Sequence, residues 1–292
     1  IINYMPELPE VEVVKKSLSK TIYDLTIKNI EIRNKFLRYK IDEKLMKKMI
    51  NSKVISVSRR SKYIFINLSN NYTIMIHLGM TGKIIILDAD NYKHKTSFYY
   101  KLADNNPIHD HLKFKFNKKI FLIYNDVRKF GFIKIFKTKE LPLSSHLKKL
   151  GPEPFSNQFN IDYFKKNIKK RKIFIKDLLM NQKFLAGLGN IYVNEALYLS
   201  KVNPKTRANS ISTKRIQSLV INIKKVLKKA IYEGGSSIKN FNNIKGNKGN
   251  FQQFFNVYGR HGKSCTRSNC KGSIERIRIS NRSTFFCKIC QK

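Results

Sequence analysis

The spacing of apolar residues changes along the chain and predicts one helix followed by a series of strands. Apolar positions in residues 10–20 recur every three or four residues after two prolines, which predicts a first helix. From about residue 26 to 137, short β-branched and aromatic runs are bounded by Asn, Asp or Gly, a pattern typical of an antiparallel sandwich or barrel. These predicted strands are Lys53–Ser58, Tyr63–Leu68, Tyr72–His77, Lys83–Leu87, Leu112–Phe116, Ile120–Tyr124 and Phe132–Phe136.

The second half of the chain has helical periodicity and ends in a short hairpin pattern. Residues 138–157 are rich in proline, which predicts a linker, and residues 234–263 are rich in Gly and Asn, which predicts a loop. The two segments of the hairpin pattern are Ser273–Ile279 and Ser283–Cys287. The predicted helices are Asp162–Lys170, Phe174–Met180, Asn190–Leu199 and Thr213–Tyr232.

These patterns predict an α+β protein of several domains. We expect an N-terminal antiparallel β-sandwich with flanking helices, then a helical domain, then a terminal β-hairpin. The predicted boundaries are 6–137 for the sandwich domain, 138–157 for the linker, 158–263 for the helical domain with its loop, and 264–292 for the hairpin.

The net charge of the chain indicates the kind of partner that it binds. The 59 Lys and Arg residues against 19 Asp and Glu residues give a net charge of +40, which favours a polyanion such as nucleic acid. A second cause is open, because heavy use of Lys, Asn and Ile with no Trp is also what an A/T-rich genome produces. The sequence has no apolar run of about 18 residues and no secretory signal pattern, so we expect a cytoplasmic protein without a membrane partner.

All four cysteines lie in the last 28 residues, and their spacing predicts a metal site. The pattern Cys265-x4-Cys270-x16-Cys287-x2-Cys290 has two close pairs separated by a hairpin-sized insert, which is typical of a four-thiolate zinc site. Four protein ligands leave no open position for a substrate, so the expected zinc is structural. The alternative is that these are four unrelated buried cysteines.

The N-terminal run Met5-Pro6-Glu7-Leu8-Pro9-Glu10-Val11-Glu12 contains a candidate nucleophile. A methionine before proline is normally removed after translation, which would leave Pro6 with a free secondary amine able to form an iminium adduct. Ile1–Tyr4 precede the run, and with them in place the Pro6 nitrogen would be part of a peptide bond. We therefore expect translation to start at Met5. The simpler interpretation is that Pro6 and Pro9 only shape an extended segment before a helix.

Five segments of the chain resemble bacterial formamidopyrimidine-DNA glycosylases, which excise oxidised purines. They are residues 5–12, the strand end HLGMTG at 77–82, the loop DVRKFG at 126–131, the helical joint at 185–195 and the cysteine tail. The resemblance implies a helix–two-turn–helix element at 185–195 and a zinc-finger hairpin at the end. It also implies that the loop at 240–251 closes over a flipped base.

The resemblance also implies residue roles, and the chain departs from the family pattern at a few positions. Its first cysteine pair is separated by four residues instead of two, and Val127 and Lys129 replace the usual Pro and Arg. The implied catalytic residues are Pro6, Glu7, Lys62 and Arg282. The implied DNA-binding residues are His77, Met80, His109, Arg128, Lys129, Phe130, Asn190 and Arg171. The run around Lys62 is otherwise typical of a solvated basic turn, and exposed Met or Phe is more often part of a core.

The activity implied is excision of oxidised purines from duplex DNA, followed by β,δ-elimination at the abasic site through a Schiff base on Pro6. The expected cofactor is one structural Zn²⁺, and the expected partner is damaged double-stranded DNA, bound by a monomer associated with the bacterial nucleoid. Two alternatives stay open. One is an oxidised-pyrimidine glycosylase of the same fold. The other is a non-catalytic DNA-damage-binding protein, which would follow if residues 1–4 were retained.

Overall fold

The computed structural model describes residues 5–89, 93–96, 106–236 and 251–292. The chain divides into two compact units. The first contains Ile1–Lys148 and Glu233–Asn250, and the second contains Lys149–Tyr232 and Phe251–Lys292. The boundary between residues 148 and 149 lies inside the segment expected to be a linker.

The first unit is built on two antiparallel sheets and one long helix, α1 (Leu8–Ile22). A short helix, α2 (Glu43–Lys47), follows the first strand. The strands are β1 (Ile27–Ile32), β2 (Val54–Arg60), β3 (Tyr63–Leu68), β4 (Tyr72–His77), β5 (Gly82–Leu87), β6 (Lys93–Lys95), β7 (Asp110–Phe116), β8 (Phe121–Asp126) and β9 (Phe132–Lys137). One sheet has the order β1-β7-β8-β5-β6 and the other the order β2-β3-β4-β9.

Alternation along β3 shows why the four-stranded sheet is covered on both faces. Ile64 and Ile66 join a large core that also contains apolar residues of α1 and of both sheets. Phe65 points to the opposite face, where it packs with Met75 and Phe132 in a second cluster. Successive side chains of a strand face opposite sides, so one strand supplies both cores.

The second unit combines four helices with a two-stranded hairpin. The helices are α3 (Ile161–Ile168), α4 (Ile175–Met180), α5 (Asn190–Leu199) and α6 (Thr213–Tyr232), and the hairpin strands are β10 (Ile274–Ile279) and β11 (Arg282–Cys287). Helix α5 is buried along residues 191–198 and packs against both α6 and β11. Buried Glu195 of α5 accepts backbone hydrogen bonds from Asn256, Val257 and Tyr258 at 2.9–3.0 Å, which fastens residues 256–258 to this helix.

The predicted fold class is confirmed, and most predicted elements occur within three residues of their expected ends. The sequence pattern did not predict β1, α2 and β6, and in each of them the periodicity of apolar residues is weak. Strand β1 has mostly exposed or half-buried residues, and the adjacent Lys28 and Asn29 interrupt its alternation of apolar and polar residues. Helix α2 and strand β6 have only five and three residues. Within the described residues, no helix is long and apolar enough to cross a membrane.

Candidate functional site

The candidate nucleophile lies at the start of α1. Pro6 and Glu7 are both buried, and Glu7 is the residue before the first turn of the helix. The Glu7 N–H donates to Oε2 of Glu10 at 2.9 Å, which provides an acceptor for one of the N–H groups that a helix start leaves unpaired. Pro9 stands in the first turn, where a missing N–H costs nothing.

Glu10 also binds the segment that follows the last helix of the second unit. Its Oε1 accepts hydrogen bonds from the backbone N–H of Ser236 at 2.7 Å and from the Ser236 hydroxyl at 2.9 Å. Only 2% of Glu10 is exposed. One carboxylate therefore holds Glu7 and Ser236 together. The implied lesion loop, residues 240–251, lies outside the described residues except for Phe251.

The basic turn and the end of β4 are brought together by strand pairing. Lys62 precedes β3, and the first residue of that strand, Tyr63, pairs directly with His77 of β4. Burial first, and then the nearby charges of Lys62, Arg38 and His146, lower the pKa of His77 to about 4. The His77 ring is therefore neutral near pH 7.

The tautomer of neutral His77 follows from its hydrogen bond. The N–H of Gly79 donates to Nδ1 of His77 at 3.1 Å, so Nδ1 acts as an acceptor and the proton is on Nε2. The same ring stacks on Phe132 with centroids 5.3 Å apart. Nε2–H is thus a fixed donor in a positive field to which Lys62 and Arg38 contribute, an arrangement suited to an anion such as phosphate.

Buried Asp126 joins the two candidate wedge loops. Its Oδ1 accepts from the hydroxyl of Thr81 at 2.5 Å, and its Oδ2 accepts from the N–H of Gly131 at 2.8 Å. The N–H of Arg128 donates to the Thr81 hydroxyl at 3.0 Å and to Asp126 Oδ1 at 3.3 Å. The loop after β4 and the loop after β8 are therefore held by one carboxylate.

The side chains presented by these loops form one cluster. The Arg128 guanidinium lies over the Phe130 ring at 4.4 Å from its centroid and donates to the sulfur of Met80 at 3.4 Å. Phe130 is 45% exposed although it is large and apolar. Lys129 between them has a left-handed backbone with φ of 55°, which turns the loop so that its neighbours share a face.

In the second unit, Asn190 and the residue after Arg282 are in contact. Asn190 begins α5, and its Nδ2 donates to the carbonyl of Ser283 at 3.0 Å. Buried Lys176 donates to the same carbonyl at 3.2 Å and to the Thr284 hydroxyl at 2.6 Å. Arg282 is exposed and begins β11, directly after the two-residue turn Ser280–Asn281.

Two further predicted DNA-binding residues lie in connecting segments. Arg171 follows α3, near Tyr163, and His109 ends a single 3-10 turn before β7. The neighbouring His111 is buried and pairs with the carbonyl of Asp126 at 2.8 Å, so it serves the wedge-loop anchor.

The four cysteine sulfurs lie within 4.8 Å of one another and are the one such group that the described part of the chain contains. The Cys265–Cys290 and Cys270–Cys287 sulfurs are 3.8 and 3.6 Å apart. A tetrahedral site with Zn–S bonds of about 2.3 Å places sulfurs roughly 3.8 Å apart, so the set fits zinc. The wider first spacing does not prevent this geometry.

Sequence reasoning missed the buried acids that position these groups. Glu10 has a usable signal, because it stands three residues after Glu7 at a helix start, the spacing of a capping box. Asp126 accepts from Arg128 and Gly131 of its own loop, but its Thr81 donor is 45 residues away. The backbone donors to Glu195 are 61–63 residues away, so neither acid has such a signal. Only the fold brings those donors to them.

Comparison with known proteins gives matches along most of the chain. The model of the formamidopyrimidine-DNA glycosylase N-terminal domain matches residues 5–133, and the model of the H2TH domain of the same enzymes matches residues 150–242. Formamidopyrimidine-DNA glycosylase of Rickettsia conorii is 39% identical over 287 residues, which cover 98% of this chain and 99% of that protein.

Solved structures of Lactococcus lactis Fpg are also similar. Its complex with DNA containing an abasic site has a TM-score of 0.84 and 35% identity, covering 98% of this chain and 99% of that one. Its complex with DNA containing an oxidised pyrimidine has a TM-score of 0.83 and 35% identity, covering 98% of this chain and 100% of that one.

Proposed function

Because the chain belongs to the formamidopyrimidine-DNA glycosylase family, whose members are DNA glycosylases and abasic-site lyases, we propose that it excises oxidised purines from duplex DNA and cuts the abasic site. The expected lesions are 8-oxoguanine and formamidopyrimidines, and the protein acts as a monomer. The observation that carries the proposal is the cluster of exposed Arg128 and Phe130 with half-buried Met80, anchored by Asp126. Enzymes that extrude a base must offset the loss of stacking, and rigid side chains inserted into the duplex do so.

The proposed chemistry runs through Pro6 and Glu7. The Pro6 amine attacks C1′ of the deoxyribose, and the bond from C1′ to the base breaks, with the base leaving as a protonated species. Glu7 protonates the ring oxygen as the sugar opens, which yields the iminium. Loss of a C2′ proton then expels the 3′ phosphate, and a second elimination expels the 5′ phosphate. No oxidant or free cofactor is needed.

The chemistry requires Pro6 to carry an amine, because an amide nitrogen shares its lone pair with the carbonyl. We propose that the working protein begins at Pro6. The family N-terminal model, whose match starts at Met5, supports this. A working protein that retained residues 1–4 would instead support the rival proposal, a DNA-damage-binding protein without catalysis. Intact mass of the protein from its native host distinguishes the two.

Four residues are proposed to bind the DNA backbone: Lys62 and His77 in the first unit, and Asn190 and Arg282 in the second. The His77 Nε2–H donor, in a positive field to which Lys62 contributes, supports the first pair. The contact of Asn190 with Ser283, next to Arg282, supports the second. Backbone contacts of this kind give affinity and register without sequence preference. His109, Lys129 and Arg171 are proposed as further contacts.

Zinc is proposed to be structural. Cys265, Cys270, Cys287 and Cys290 would hold it, and it supplies folding energy to the tail when bound. The tail in turn presents Arg282 and supports Asn190 through the Ser283 carbonyl.

The experiment that tests this function is a cutting assay on duplexes with one lesion each. The processed protein should convert 8-oxoguanine duplex into two fragments with phosphate at both new ends, the product of β,δ-elimination. Intact duplex, or fragments bearing only the β-elimination end, would contradict the proposed reaction. A parallel duplex with an oxidised pyrimidine tests the second candidate specificity, which the Lactococcus lactis complex with such DNA favours.

A further inference from the structure

The first cysteine loop, residues 266–269 between Cys265 and Cys270, packs against the end of α5. It is two residues longer than the usual two-residue spacer and therefore offers more side chains for such contacts. Arg267, in the spacer between Cys265 and Cys270, donates through Nη2 to the carbonyls of Tyr198 and Leu199 at 2.8 and 3.2 Å. These carbonyls belong to the last turn of α5, where a helix leaves its acceptors unpaired and attracts a cation. The guanidinium also lies over the Tyr198 ring at 4.8 Å.

The ring under Arg267 reaches the metal ligand itself. The Tyr198 hydroxyl lies 3.2 Å from the sulfur of Cys265 and 2.9 Å from the hydroxyl of Thr266. A zinc-bound thiolate has no proton to give, so with metal present Tyr198 is the donor in the first contact. Thr266 has one hydroxyl proton, and because Tyr198 donates to the sulfur, Thr266 shares its proton between the Tyr198 oxygen and the side-chain carbonyl of Asn256, 3.0 Å away.

The second cysteine pair is tied to the same end of α5. Gln291 accepts the N–H of Cys287 at 2.9 Å and donates to the carbonyl of Val202 at 2.9 Å. Asn203 donates to the Gln291 carbonyl at 3.3 Å. Both halves of the cysteine cluster therefore meet residues 198–203, at and just after the C-terminal end of the helix.

We propose that Tyr198 is the outer-shell partner of the zinc centre, and that Thr266 and Arg267 form a latch between the first cysteine loop and α5. The inference rests on the proposed zinc site. The four-residue spacer then links the zinc centre to α5, so that bound zinc fixes the C-terminal end of this helix, whose first residue is Asn190.

The helix transmits this constraint because its other end touches the hairpin too. Asn194, one turn from Asn190, accepts the N–H of Phe285 at 2.8 Å. Asn190 itself binds the Ser283 carbonyl. Helix α5 is thus held to the tail at both ends, and its ten residues span only about 15 Å. Loosening the latch should loosen Asn190.

The decisive variant is Tyr198→Phe, which removes the hydroxyl and keeps the buried ring. Full-length protein carrying zinc is mixed with the chelator 4-(2-pyridylazo)resorcinol, and the rate of zinc release is followed. Outer-shell partners typically contribute 10–100-fold to metal affinity, so release should be about tenfold faster. In Co²⁺-loaded protein the thiolate-to-cobalt charge-transfer band should shift. Lys271→Ala, an exposed change directly after Cys270, is the control and should match the wild type.

Arg267→Ala should release zinc faster and weaken binding to a duplex containing a tetrahydrofuran abasic analogue at least threefold. This analogue forms no Schiff base, so the measured affinity does not depend on catalysis. An unchanged release rate and an unchanged cobalt band in Tyr198→Phe would overturn the proposal. If that variant does not fold, Thr266→Val at the exposed end of the latch is judged by the same readings. A wild-type protein that binds zinc but does not cut DNA contradicts the proposed function alone.

Discussion

Asp126 shows how much of the site depends on one side chain. It is fully buried, and its two oxygens accept from Thr81, Arg128 and Gly131. Asp126→Asn keeps the shape but turns one acceptor into a donor that faces other donors. We expect a loss of about 1–3 kcal/mol in the free energy of unfolding. We also expect about tenfold weaker binding to a duplex with an abasic analogue, because the wedge cluster loses its anchor.

The binding change is measured by fluorescence anisotropy at fixed salt and the stability change by urea unfolding. Asp162→Asn, an exposed carboxylate in the first turn of α3, serves as the matched control. DNA binding as strong in Asp126→Asn as in the control would contradict the anchoring role.

His77 gives the free protein a defined pH dependence. Its pKa is lowered to about 4 by burial and by nearby positive charges, while the unfolded chain binds this proton at about 6.5. Between these values the unfolded state holds more protons, so stability falls as the pH falls from 6.5 to 4. The expected contribution is about 3 kcal/mol.

The measurement compares urea unfolding of the wild type and His77→Gln at several pH values. The variant should lose less stability over this window, whatever its stability at pH 7. His261→Gln, which changes an exposed histidine, should keep the wild-type slope. Parallel curves for wild type and His77→Gln would show that the ring is not held neutral.

At the scale of elements, α5 organises the second unit through Glu195. Both of its carboxylate oxygens are used, by the N–H groups of residues 256–258 and by the Asn256 side chain. Glu195→Gln places a donor against these donors. We expect a loss of about 3 kcal/mol in the free energy of unfolding, and faster hydrogen exchange at residues 256–258. Glu275→Gln on the hairpin is the control and should change the free energy of unfolding little. An equal loss of stability in both variants would contradict the role of the Glu195 hydrogen bonds, because removal of a negative charge would then explain the effect.

The elements themselves could be read from the sequence where periodicity was strong. Tyr63–Leu68, Tyr72–His77, Asn190–Leu199 and Thr213–Tyr232 have the same limits in the structure as in the prediction. Strand β1 could not be predicted, because Lys28 and Asn29 stand next to each other at an irregularity of its pairing and interrupt the alternation of apolar and polar residues. The contact of Arg267 with the Tyr198 carbonyl could not be predicted either, because it joins positions 69 residues apart.

For the whole molecule, the net charge of +40 predicts strong non-specific DNA binding, with only a few lysines at defined phosphates. Lys62→Gln should reduce the slope of log affinity against log salt by about one. Lys118→Asn should leave the slope unchanged. Lys118 lies in the turn before β8, about a strand length from the loop after it, and Asn tolerates its positive φ of 56°. Equal slopes of log affinity against log salt in both variants would contradict a phosphate contact at Lys62.

The account as a whole depends on Pro6 being the nucleophile. The direct measurement is borohydride reduction of the protein on 8-oxoguanine duplex, followed by proteolysis and mass mapping of the adduct. The account predicts a chain that begins at Pro6, with the sugar fragment on the Pro6 nitrogen and no adduct in Pro6→Gly, or far less. An adduct on a lysine such as Lys62, or efficient trapping by a chain that retains residues 1–5, would contradict it.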